Sequence, residues 1–275
     1  MRVKRKIFLS VKILICLLVF FLCLFPFFWV IVSSFKSESE VLSLTFTFFP
    51  SRWVLDGYRT LLLEDELFLR STVNSLLVSA VTTIAAIFFN TLCSYTFART
   101  EFPLKKLLWA YIIIPIFVPS IAILVPSYLV VSKLGMVDSY AVLTVPFIFS
   151  AYNMFFIRQF YLNIPRSIEE AAMIDGAGKF RIYAQMFLPL SLGPIFLTAV
   201  QGFLGLYNGY LWPALSTTDK SLYQVMQTLA FYRNERAGVV SIQVVGAVLT
   251  AIPTIVIFVA FQKYLIAGVK IAGLK

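Results

Sequence analysis

The stretch that decides the fold is IPRSIEEAAMIDGAGKFRIYAQMFLP, residues 164–189, a polar interruption between two long apolar runs. Ser167 and Glu170 stand in the S-x-x-E relation of a capping box, in which each side chain satisfies a free backbone N–H at the other position. Pro165 lies just upstream, where it costs a helix no hydrogen bond. The helix so opened carries Ile168, Ala171, Ala172 and Ile174. It then meets Gly176 and Gly178, both able to take the left-handed conformation that ends a helix. A second helix is predicted from about Lys179, with Phe180, Tyr183, Ala184 and Phe187 on one face. Pro189 stops that pattern or kinks it into the following apolar run. The small residues Ala171, Ala172, Gly176 and Ala177 leave a surface that another protein can approach closely. The stretch reads as a docking element.

Working outward, the chain is 60% hydrophobic and 13% charged, far from the balance of a soluble domain. Six apolar runs, at about 7–33, 73–97, 107–131, 141–161, 190–213 and 241–263, each approach the roughly 20 residues that cross a hydrocarbon core as a helix. They do not alternate apolar with polar residues, which argues against a closed barrel. The expected fold class is therefore an all-α membrane protein built as one domain over residues 1–275. The opening MRVKRK followed by apolar residues looks like a signal peptide, but the run passes Pro26 to about Val32 and shows no A-x-A-like site, so it reads as a retained first span. Cys16, Cys23 and Cys93 lie within spans, where thiols act as small apolar groups.

The net charge of +10 is explained by its distribution. With the amino terminus placed in the cytoplasm, fifteen of the twenty-three basic residues fall in inside segments, among them Arg99, Lys105, Lys106, Arg166, Lys179 and Arg181. That is the positive-inside bias, and it puts both termini in the cytoplasm. It calls for no nucleic-acid partner.

Along the chain, the outer segment 33–72 carries acidic and aromatic residues without a sharp signature; it reads equally as an ordinary surface connection and as part of a partner-facing surface. The second span is dense in Asn, Ser and Thr, which suits helix–helix packing in lipid. Its Asn90 is a candidate for an interhelical hydrogen bond or for a pathway. The third span contains Pro115, Pro119 and Pro126, each able to kink it, and broken helices often line cavities in transporters. The fifth span ends in residues 203–213, FLGLYNGYLWP. Tyr207, Asn208 and Tyr210 there form either a sugar-facing cluster or an aromatic belt at the interface.

The spans contain no Asp or Glu and the chain has no His, so the buried ionisable group of an ion-coupled carrier is missing. Metal sites and paired carboxylates for intramembrane hydrolysis lack their residues too, and the chain is not expected to be an enzyme. Gly178-Lys179 mimics the end of a phosphate-binding loop, but Met173 occupies the first glycine position and Phe180 the Ser/Thr position. Uphill movement would require ATP bound by another chain.

Glu170-Ala171-Ala172, Asp175-Gly176-Ala177 and Leu188-Pro189, at these distances, resemble the EAA loop of permease subunits of bacterial ATP-binding-cassette importers. Asn74-Ser75, the string Tyr95-x-Phe97-Ala98-Arg99 with Phe102-Pro103, and the outer turn LGMVDSY at 134–140 resemble the carbohydrate-uptake branch, which includes the maltose-system inner-membrane subunits. The glycine- and lysine-bearing tail 263–275 is similar as well, with altered spacing. The resemblance covers nearly the whole chain. It implies a six-span importer permease in the bacterial cytoplasmic membrane, paired with a second, different permease. A dimeric ATP-binding subunit would dock on the loop, and an extracytoplasmic solute-binding protein would deliver substrate. No cofactor is implied for this chain; ATP and magnesium would sit in the partner. Coupling contacts are implied at Ser167, Glu170, Ala171, Ala172, Asp175, Gly176 and Ala177, with Glu170 as the polar contact, the alanines as the close fit and Gly176 as the turn. Relatives usually carry a tryptophan at the position of Tyr207 and an acidic residue at that of Gly209, so substrate contacts do not transfer directly. An importer of polyamine or phosphate ester, and an ATP-independent carrier or channel, remain open on the sequence.

Overall fold

In the computed structural model the backbone is described for residues 2–235 and 240–272, and the side chains for 8–233 and 240–263. The basic side chains of Arg2, Lys4, Arg5, Lys6, Lys270 and Lys275, counted above toward topology, lie outside the described side chains. Residues 236–239 of the last outer loop and 273–275 of the tail lie outside the described residues altogether.

Among the described residues the architecture is helical throughout. The main elements are α1 (Arg2–Ser33), α2 (Glu66–Arg99), α3 (Lys105–Ile113), α4 (Ser120–Lys133), α5 (Tyr140–Ile148) and α6 (Ala151–Leu162). They continue as α7 (Arg166–Ile174), α8 (Lys179–Ile182), α9 (Leu192–Tyr207), α10 (Leu211–Ser216), α11 (Val225–Glu235) and α12 (Val240–Ala272). Phe8–Ser33, Glu66–Arg99, Tyr140–Leu162 and Val240–Lys263 are each long and apolar enough to cross a membrane. Two bent pairs, Lys105–Phe117 with Ser120–Lys133 at 112° and Lys179–Leu190 with Leu192–Tyr207 at 79°, raise the number to six if each counts as one span.

The breaks have local causes. Of the three prolines in the third apolar run, Pro119 makes the bend. Val118 before it is extended at φ −100°, ψ 124°, as a residue preceding proline prefers, and the helix restarts at Ser120. Pro115 sits in the tight turn Ile114–Phe117, and Pro126 is carried inside α4 without ending it. The fourth run, expected at 141–161 without interruption, opens at Phe149 and Ser150 between α5 and α6. There Ser150 caps α6 by accepting from the Asn153 N–H at 3.2 Å. The fifth run stops at Tyr207, short of the expected 213, because Asn208 N–H and Gly209 N–H turn back to Leu204 and Leu206 carbonyls.

The chain divides into two compact units, Met1–Leu69 with Leu229–Ile252, and Arg70–Thr228 with Pro253–Lys275. In the first, the outer segment folds onto itself. The ring of Trp29 stacks on Phe46 at 4.9 Å, and Lys36 lies over Trp29 while donating to the Thr47 carbonyl at 2.6 Å. Glu38 receives the N–H groups of Val240 and Ser241 at the start of α12, and Gly246 lies where a Cβ would come within 2.5 Å of Leu229 Cδ2. In the second unit the polar residues of α2 tie neighbouring segments together. Asn74 donates to the Ser221 and Tyr223 carbonyls and accepts from Tyr140 Oη, Ser75 Oγ accepts from Val225 N–H, and Ser94 Oγ donates to the Met154 carbonyl. Such internal satisfaction is required where no water reaches the backbone.

Candidate functional sites

The docking stretch begins differently from its sequence reading. Pro165, at φ −57° and ψ 138°, is itself the N-cap of α7, with no side-chain hydrogen bond, so the capping box of Ser167 and Glu170 is not formed. Proline supplies the extended entry and its missing N–H is one that a helix start leaves free anyway. Ser167 and Glu170 therefore lie inside the helix, both exposed. At the other end the expectation for Gly176 holds. Its φ is +77°, its N–H bonds to the Met173 carbonyl, and Ala177 N–H reaches back to the Ala172 carbonyl at 2.9 Å, the two bonds of a Schellman close. Gly178, at φ −71°, stays out of the left-handed region and starts α8.

The faces of α7 sort its residues. Ala172 is only 2% exposed and belongs to a core with Tyr95, Ile157, Tyr161, Ile182 and Phe187. Its small side chain thus packs within the chain, where the sequence reading put it on a surface open to a partner. Ile168, four residues earlier, packs against the same core. Glu170, Ala171, Asp175 and Gly176 are exposed and Ala177 half-buried. Two large apolar residues also face outward, Met173 at 51% and Ile174 at 86% exposed. Phe180 at 63% joins them, although the sequence pattern placed it on the buried face. The inward face is set instead by Ile182, Tyr183 and Phe187, while Phe180 touches the Tyr183 ring and is otherwise open among the described residues.

One residue that the sequence marked only as an inside charge holds the base of this loop. Arg99, at the end of α2, donates through Nη2 to the carbonyls of Tyr161 and Ile164, which close α6. It stands 4.0 Å from Glu169 of α7 and over the Phe187 ring, with its side chain 5% exposed. A cation at the carbonyl end of a helix is favourable, and here burial strengthens it. Arg158 adds a second tie, donating from Nε to the Phe97 carbonyl and covering Trp109.

In the same unit a cavity of about 800 Å³ is walled by α2, α4, α5, α6, α9 and α10, within the size range of small-molecule sites. Asn90 lines it but is fully engaged. Its Nδ2 donates to the Ala86 and Ile148 carbonyls and its Oδ1 accepts from Ser150 N–H, so the amide closes the α5–α6 break. Of the other three candidate pathway residues, Tyr210 lines the cavity. Tyr207 is fully buried and stacks on Phe203, and Asn208 is exposed, donating to the Leu204 carbonyl; neither is on the wall. The helix end at Tyr207 turns these two away. Trp212 does reach the wall, held by its Nε1 on the Val142 carbonyl at 2.8 Å. The sequence reading missed Ser127, Asn153 and Gln201, which line the cavity and find no partner among the described residues.

The model of the family described as "Binding-protein-dependent transport system inner membrane component" matches residues 90–271, which include the docking stretch and most of the cavity wall. The chain belongs to this family. As an inner membrane component with several apolar helices, it is a multi-pass membrane protein and a transport subunit. It is similar to the arabinooligosaccharides transport system permease protein AraQ of Bacillus subtilis (strain 168), 28% identical over 92% of this chain and 91% of that protein. It is also similar to the diacetylchitobiose uptake system permease protein NgcG of Streptomyces coelicolor, 28% identical over 89% of this chain and 82% of that one. Among solved structures, a chain of a bacterial ABC transporter involved in the import of the acidic polysaccharide alginate superposes with a TM-score of 0.81, at 21% identity, over 94% of this chain and 97% of that chain. The inner membrane component thus shares its fold with a chain of an importer.

Proposed function

We propose that this chain is the permease subunit of an ATP-driven, binding-protein-dependent importer of a sugar or oligosaccharide. It forms half of the translocation pathway together with a second, different permease. The stretch 164–189 couples it to a dimeric ATP-binding subunit, which holds the ATP and magnesium, and a solute-binding protein delivers the sugar from outside. The cytoplasmic placement of both termini and of the loop follows the basic-residue bias.

The observation that carries the coupling is the outward face of α7 and α8. Met173, Ile174 and Phe180 project from a short helical loop that the rest of the chain holds rigidly from behind through Arg99 and Ala172. Apolar residues exposed on a rigid element beside Glu170 and Asp175 suit the centre and rim of a protein interface. The sugar assignment is supported by the relatives named for arabinooligosaccharide and diacetylchitobiose transport and by a cavity offering amides, hydroxyls and an indole. ATP binding in the partner would draw the loop with it, and the bent spans would change which side the cavity faces.

The test is to tag the chain, extract it in mild detergent and identify what co-purifies, for the wild type and for Gly176→Val. Gly176 has open space around it, but its φ of +77° strains any β-branched side chain, so Val distorts the helix close without blocking the surface. An ATP-hydrolysing subunit and a second multi-span protein are expected with the wild type. The variant is expected in the membrane at normal level, with uptake lost. A chain that purifies alone under conditions that keep a known importer intact would overturn the reading.

A further inference from the structure

The cavity wall has a chemical character that narrows the solute. Among the described residues its polar groups are all neutral, with no Asp, Glu, Lys or Arg on the wall. Several of its hydrogen-bonding side chains are unused among the described residues. Ser127 Oγ, the Asn153 and Gln201 amides and Tyr210 Oη have no partner, and Thr83 Oγ1 on the same wall is buried without one. Asn90, Thr198 and Gln224 on that wall are, by contrast, engaged within the chain. Thr83 Oγ1 is buried, Ser127 and Asn153 are half-buried and Gln201 and Tyr210 open, so the wall presents a graded set of hydrogen-bonding groups that a solute in the cavity can reach.

We infer that this wall contacts the sugar directly and that the sugar is uncharged. The inference rests on the importer reading above. An amide or hydroxyl both donates and accepts, which matches a sugar hydroxyl that does the same. Trp212 and Phe147, perpendicular to each other at 5.9 Å, offer the apolar surfaces on which the C–H face of a pyranose or furanose ring can lie. An anionic sugar would have to surrender part of its hydration against a largely apolar wall, and the described lining residues offer no counter-charge to offset the loss. The pathway half formed by this chain therefore selects polyhydroxylated, neutral solutes and disfavours uronates and phosphate esters.

The test uses the complete complex, purified with its partners in lipid nanodiscs without the binding protein, so that the membrane part alone is read. Saturable binding of arabinotriose, diacetylchitobiose and an alginate trisaccharide is measured by equilibrium dialysis, for wild type and for Asn153→Ala combined with Gln201→Ala. At least one neutral probe is expected to bind and the alginate probe not. The double variant should weaken binding roughly tenfold, as loss of two ordinary hydrogen bonds implies. Binding of the acidic probe alone, or equal neutral binding in the double variant, would overturn the inference while leaving the importer reading intact. A complex that hydrolyses ATP but binds no probe would overturn direct contact. A complex without ATP hydrolysis would instead overturn the importer reading itself.

Discussion

The coupling loop and the cavity are opposites. The loop is a polar stretch that leaves large apolar side chains, Met173, Ile174 and Phe180, uncovered. The cavity is an apolar region that leaves polar side chains, Asn153, Gln201 and Tyr210, unbonded. Each is unfinished in the currency its surroundings make costly: exposed apolar area in water, and unpaired hydrogen-bonding groups among lipid-spanning helices. On the proposed reading a protein face completes the loop and a hydroxylated solute completes the cavity. The difference can be broken by substitution.

The largest effect is expected from Ile174→Asp. Burying an exposed isoleucine in a partner contributes about 1.5–3 kcal/mol, and a carboxylate there must in addition be desolvated. Uptake should fall by about two orders of magnitude, with the amount of chain in the membrane and its thermal stability when purified alone unchanged. Normal uptake would remove the apolar face from the coupling interface. The variant separates a surface unfinished for a partner from one that merely tolerates an apolar side chain.

Arg99→Ala probes the inward side of the same loop and should do the reverse. It leaves the Tyr161 and Ile164 carbonyls and Glu169 without their buried cation, a loss on the order of 3 kcal/mol. The isolated chain itself should then melt at a lower temperature, before any partner is added. A variant as stable as the wild type but defective in coupling would move Arg99 from scaffold to interface and blur the distinction between the two faces.

How much of this was legible in the sequence depended on whether one residue or a neighbouring element decided the outcome. Gly176 was readable because a left-handed turn needs glycine wherever the chain goes next. The breaking of the third span was readable for the same reason, though which of Pro115, Pro119 and Pro126 makes the bend was not. Ser167 matched a motif that Pro165 pre-empted two residues earlier. Ala172 lies inward and Phe180 outward because the side of each short helix that meets the core of Tyr95, Ile157 and Phe187 is set by tertiary packing, which residue spacing alone does not give. Asn90 and Asn153 look equivalent on paper, each an asparagine within an apolar run. One closes a helix break and the other is left facing a cavity, and only the placement of Ile148 and Ser150 tells them apart.

The smallest effect is expected where the chain is already complete. Asp138, in the outer turn before α5, holds the segment after α10 through Asp219 N–H and through the N–H and hydroxyl of Thr218. The Asp219 backbone bond first, then the Thr218 bonds, keep the Asp138 carboxyl below the ordinary aspartate range. A depressed folded pKa contributes stability that is fully present above the unfolded value of about 3.9 and is lost as pH falls through the lower folded value. Acidification from about pH 6 toward 3 should therefore lower the melting temperature of the wild type more than that of Asp138→Asn, whose side chain does not titrate. At neutral pH the variant should import sugar at nearly the wild-type rate, because the carboxylate is exposed and faces neither the loop nor the cavity. Parallel melting curves across that range would show that the latch contributes nothing to stability. A large loss of uptake at neutral pH would show that this turn, too, is unfinished and waits for a partner.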